Sequence, residues 1–346
     1  MENNAKSRNN TVDILRGIAM LMVVLGHTMT GCAMNSEQSF LFNVVWTLQM
    51  PLFMLISGYV TKYSKPITSA KSWGKFIGKR TLAYLLPWLV WTIVIRGIIF
   101  QQKNFLDIKF LIYHMDAGYW FLFTIWTVVM VFGIAQFISE KIASRKNKYV
   151  KMIVLTAIYV LGMCAVGGVG FIMGFSFLCI KLTLYYMPFY FVGYLFGQLQ
   201  SEIEKIKFGR QIIDGCIAVC LVVWIALMLR YNFYAIGNSA FGIILRAVAS
   251  LSGCIAICGL VSGIVNNVKI QGVFIQYVGV HSLEIYTIHG LLLSMIKPVE
   301  LPAFLSMEGM VLIILNFMLT VGVSIAVIAL LNQSKVLKII LFGKRS

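Results

Sequence analysis

Charge is scarce in this sequence, and acid scarcer still. Of its 346 residues 12% are charged, and 12 Asp and Glu stand against 29 Lys and Arg. That excludes an ordinary soluble surface, because soluble domains are about a quarter charged. Several signatures of chemistry are missing too: no GxSxG nucleophile elbow, no GxxxxGK[ST] phosphate loop and no HExxH zinc motif occurs. Serine-hydrolase, P-loop NTPase and zincin activities are thereby set aside. No internal repeat is visible, and no soluble catalytic domain is expected before or after the apolar segments. What fills the chain instead is apolar: 60% of residues are hydrophobic and the mean hydropathy is +0.87. Such a composition implies an all-α polytopic transmembrane helix bundle, read over residues 1–346 as a single membrane-embedded domain.

Ten apolar runs approach or exceed the roughly 20 residues that cross a bilayer: 12–33, 40–61, 82–101, 118–138, 150–168, 180–199, 211–231, 238–264, 274–296 and 303–331. Lys and Arg orient them. With a cytosolic N-terminus, the inner segments hold Lys6 and Arg8, the group from Lys62 to Arg80, the group from Lys141 to Lys151, then Lys205, Lys207, Arg210, Lys269 and the group from Lys335 to Arg345. The outer segments hold only Lys103, Lys109 and Lys297. The positive-inside rule then puts both termini in the cytosol. The net charge of +17 follows from this dispersed topology. It forms no compact patch for nucleic acid, and its natural partner is the anionic lipid of the bilayer. The first run is too long and too polar for a cleaved signal. All seven cysteines lie in or beside the runs as small packing residues, so neither a disulfide nor a metal site is expected.

The polar exceptions within the runs carry the functional argument. Val12 to Ala33 contains Asp13, Arg16 and His27, and ionisable groups inside a membrane are costly enough to mark a site. Arg16 and His27 are eleven positions apart, which returns both to one helix face about 16 Å apart. A hydrogen-bonded interhelical histidine is the plainer alternative for His27. The ninth run contains Glu284 and His289. Counted from the inner ends, His27 and His289 both lie about 22 Å deep and Glu284 about 15 Å. This fixes depth, not contact. Histidine is the usual general base near neutral pH, and a carboxylate can orient it. In the second run Pro51 interrupts the helix, while Ser57 and Gly58 permit close approach. Lys75, Lys79 and Arg80 stand where the third run leaves the cytosol; they suit the phosphates of a cytosolic donor, or equally anchor the helix. Trp120 opens the fourth run, where an aromatic belt is expected.

With these residues in place the sequence resembles the bacterial acyltransferase 3 membrane proteins. The matching features are Arg16 and His27 at the family's Arg-x10-His spacing, Met50-Pro51-Leu52-Phe53 with Ile56-Ser57-Gly58-Tyr59, Trp120-Phe121-Leu122, and Ser282-Leu283-Glu284-Ile285-Tyr286 through His289. They run in the family's order across nearly the whole chain. The resemblance implies transfer of an acyl group, usually acetyl, from cytosolic acetyl-coenzyme A to a hydroxyl of an extracytoplasmic or lipid-linked glycan at the bacterial cell membrane, without a metal. It makes His27 the catalytic candidate and Arg16 its partner, with Glu284 and His289 in support. Lys75, Lys79 and Arg80 become candidates for the donor's phosphates, and Ser57, Trp120 and Arg246 for contact with substrate. One departure stands out: where family members often carry Arg-x-x-Arg at the third span, Lys79-Arg80 is followed here by Thr81, Leu82 and Ala83. Two other readings compete. Family-like membrane halves fused to serine racemases point to uptake of a small acid or amino acid, with Arg246, Glu284 and His27 as ligands or proton relays. An inactive scaffold is the third.

Overall fold

Helix α1 (Asn10–Cys32) begins where the Asn9 side chain accepts the Val12 backbone N–H at 3.2 Å and ends as Ala33 turns to extended backbone. Asn at the N-cap satisfies one of the orphan donors of the first turn. The chain then returns as α2 (Phe40–Tyr59), which keeps Pro51 inside it. Residues 9–268, 273–293, 295–296 and 300–344 are described in this computed structural model. Of the basic residues used to orient the runs, Lys6, Arg8, Lys269, Lys297 and Arg345 lie outside the described residues. The next helical stretch runs from α3 (Ala70–Arg80) through a wide π turn, Thr81–Leu85, to the short α4 (Leu86–Leu89) and a second π stretch, Val90–Ile99. Pro87 explains the widening: it lacks the N–H for the ladder, and its ring would strike the preceding turn.

The remaining helices are α5 (Ile108–Tyr113), α6 (Trp120–Ile142), α7 (Lys148–Met173), α8 (Ile180–Ile203), α9 (Gly209–Arg230), α10 (Ala240–Val268), α11 (Val273–Val280), α12 (Ser282–Leu292), α13 (Met307–Leu331) and α14 (Lys335–Phe342). The described residues form no strand, only an isolated bridge between Met34 and Ala303. Nine helices among them are long and apolar enough to cross a membrane. The ninth expected run, 274–296, is the exception: it breaks at His281 into α11 and α12.

The helices form two compact units, one of residues up to Tyr59 with Val192–Ile328, the other of Val60–Phe191 with Ala329–Ser346. In the first, α1 packs against α2, α10, α11 and α12. Glycine makes the α1–α11 approach possible. A Cβ on Gly279 would run into the Asp13 carbonyl, and one on Gly17 into that of Ile275. Runs one and nine therefore meet backbone to backbone. Beyond α12, Asn316 of α13 donates to the Ile296 carbonyl at 3.1 Å and accepts the Ile296 N–H at 3.0 Å. In the second unit, Trp91 donates from Nε1 to the Leu341 carbonyl at 2.8 Å, which fastens α14 to the widened helix.

Candidate active site

The first unit brings two of the predicted histidines together. The rings of His27 on α1 and His289 on α12 lie 5.4 Å apart, centroid to centroid, at 41°. His27 is exposed although Gly26, Thr28 and Met29 beside it are buried. It shares an accessible stripe with half-buried Arg16, Thr30 and Gly31, roughly opposite the half-buried apolar face of Ile18, Leu21, Met22 and Leu25. The polar stripe is thus a face separate from the apolar one that suits lipid.

His289 is buried, with 4% of its surface exposed. Its Nδ1 lies 3.1 Å from the Ile285 carbonyl one turn earlier. A carbonyl only accepts, so this nitrogen carries the proton and donates. In the neutral ring that leaves Nε2 as the acceptor. The Tyr286 ring lies 5.6 Å away.

Glu284, fully buried, stands in the first turn of α12, where a carboxylate complements the helix dipole. Its Oε1 meets His281 Nδ1 at 3.1 Å. His281 sits at the break before α12, its ring 4.4 Å from that of Tyr277. His281 was not among the expected site residues; its spacing of three from Glu284 was the available signal. Gln49 of α2 is a second unforeseen neighbour. A Cβ on Gly26, beside His27, would stand 3.2 Å from Gln49 Oε1, and that buried oxygen has no hydrogen bond among the described residues. Of the other expected residues here, Arg246 is half-buried on α10, and Ser57 is half-buried near the end of α2.

The remaining expected residues belong to the second unit. Helix α3 starts with a reciprocal capping box between Ser69 and Ser72. Its Trp73 and Phe76 crowd Gly133 of α6, and Trp73 stacks on Phe137 at 5.8 Å. That leaves Lys71, Gly74, Lys75, Gly78 and Lys79 on the accessible side of the helix. Arg80 departs from this side, its guanidinium 5.6 Å from the centre of the Phe76 ring. Trp120 stacks on Tyr186 at 5.7 Å and 17°. Among the described residues no three metal-ligating side chains gather.

The family model described as an acyltransferase domain matches residues 9–331. Two curated relatives are nodulation proteins NolL. That of Sinorhizobium fredii is 28% identical over 210 residues, 57% of this chain and 51% of the relative. That of Mesorhizobium japonicum is 28% identical over 204 residues, 56% of this chain and 48% of the relative. The matched part of the chain thus spans about half the length of these relatives. No solved structure matches.

Proposed function

The chain belongs to the acyltransferase domain family, and on that premise we propose that it moves an acetyl group from cytosolic acetyl-coenzyme A to a hydroxyl of an extracytoplasmic or lipid-linked glycan, in a bacterial cell membrane with both termini in the cytosol. The observation that carries this reading is the His27–His289 pair, 5.4 Å apart, with His27 on the accessible stripe that also bears Arg16.

His27 takes the proton of the acceptor hydroxyl as its oxygen attacks the thioester carbonyl. The new C–O bond forms, the C–S bond breaks, and the departing sulfur collects the proton from His27 to leave as coenzyme A thiol. Buried His289, whose Nδ1–H is engaged by the Ile285 carbonyl, offers Nε2 to steady the imidazolium formed on its neighbour. Glu284 supports the same helix end through His281. Arg16 lies on the donor's path. The exposed pair Lys75 and Lys79, with Arg80, suits the donor's phosphates, while Ser57, Trp120 and Arg246 are offered to the acceptor.

The test is release of free thiol from acetyl-coenzyme A by purified protein, with and without a cell-envelope glycan fraction. The reading expects release that depends on glycan. Folded protein that releases no thiol with any envelope fraction, yet accumulates serine or a small acid in liposomes, would replace it with transport.

A further inference from the structure

One cation in the second unit is unused by the mechanism. Arg96 lies in the last turn of the helix that ends at Ile99, at the opposite end of that stretch from Lys75 and Lys79. It is followed by exposed Ile98, Ile99 and Phe100 and then by exposed Gln101, Gln102 and Lys103. A switch from exposed apolar to exposed polar residues marks the level of lipid headgroups. The guanidinium does not swing outward there. Its carbon sits 4.8 Å from the centre of the Phe105 ring and 5.6 Å from that of Tyr119, and both rings are buried. Close packing holds the wall in place, because a Cβ on Gly97 would collide with the Leu106 side chain.

No carboxylate among the described residues pairs with this charge. Arg96 Nη1 donates to the Ala117 carbonyl at 3.3 Å, while Nε is buried without a hydrogen bond among the described residues. Arginine has five N–H donors, so most are unspent. Asp107 is occupied in capping α5 through the Lys109 N–H at 2.9 Å. Tyr119, a phenol, carries no charge at neutral pH. A half-buried planar fork against aromatic rings, its Nε buried and unspent, at headgroup depth, matches the geometry and charge of a phosphate.

We propose that Arg96, walled by Phe105 and Tyr119, binds the phosphate of a lipid, either a bilayer phospholipid or a lipid-linked sugar carrier. The proposal rests on the membrane reading and not on acyl transfer, so it can fail independently of the reaction.

The experiment is native mass spectrometry of the full chain released from micelles with one of three probes: a polyprenyl monophosphate, phosphatidylglycerol or phosphate-free diacylglycerol. Wild type is expected to retain a phosphate lipid and not diacylglycerol. Arg96→Gln should weaken retention by about tenfold, the scale of one lost charged hydrogen bond. Arg96→Lys keeps the charge and the stem but not the fork, and should fall between them. Preference for the polyprenyl phosphate assigns the site to a lipid-linked carrier, and equal retention of both phosphate lipids assigns it to the bilayer. The proposal is overturned if diacylglycerol is retained equally well. It is also overturned if Arg96→Gln, or Arg96→Lys should the first variant not fold, retains the phosphate lipids as tightly as wild type.

Discussion

A hydrogen bond to a carbonyl selects the tautomer of His289, and the exposure of His27 makes it the member of the pair that substrate can reach. The sequence located both at one depth, because the rise per residue is fixed and both runs start from the same side. It could not show that α1 and α12 face each other, since depth carries no information about neighbours. His281 was less legible. Flanked by Val280 and Ser282, it carries no mark of its own, and only its contact with fully buried Glu284 gives it a role. Glu284→Ala should therefore lower stability by about 1–3 kcal/mol, the cost of stripping half-buried His281 of its partner, seen as a lower melting temperature in detergent. Glu284→Gln, which can still bond His281, should lose less. Equal losses in the two variants would count against the contact.

At the level of elements, the helical runs were plain because about 20 apolar residues admit little else in lipid. The interruptions were not. An apolar run does not announce where it breaks, so the α11–α12 junction at His281 was hidden. The π turns on either side of Pro87 in the third run were not foreseen. The α1–α11 contact makes a sharp prediction. Gly279→Ala drives a methyl into the Asp13 carbonyl and should destabilise by about 1–3 kcal/mol, as overpacking does. Gly74→Ala, where a Cβ meets nothing within 4 Å, should instead stabilise α3 by about 0.5–1 kcal/mol. Thermal unfolding of both variants in the same detergent checks the contrast. Asn316→Ala should also destabilise, by about 1–3 kcal/mol, because it frees both backbone groups of Ile296 that Asn316 now satisfies.

Across the whole molecule, the distribution of Lys and Arg predicts sidedness. Reporter fusions after Lys65 and Lys146 should be active only as cytosolic reporters, and one after Lys109 only as an extracytoplasmic reporter; the reverse pattern would invert the proposed donor and acceptor sides. The central claim is that His27 and His289 act as one proton-handling unit. It is tested most directly by the rates of glycan-dependent acetyl transfer in wild type, His27→Ala, His289→Ala and the double variant, each shown to be folded. Losing a general base should slow His27→Ala by about 10² to 10⁴. The double variant should then be no slower than His27→Ala alone, because groups that act together lose their effect only once. Losses that multiply, or a His27→Ala enzyme as fast as wild type, would contradict the account.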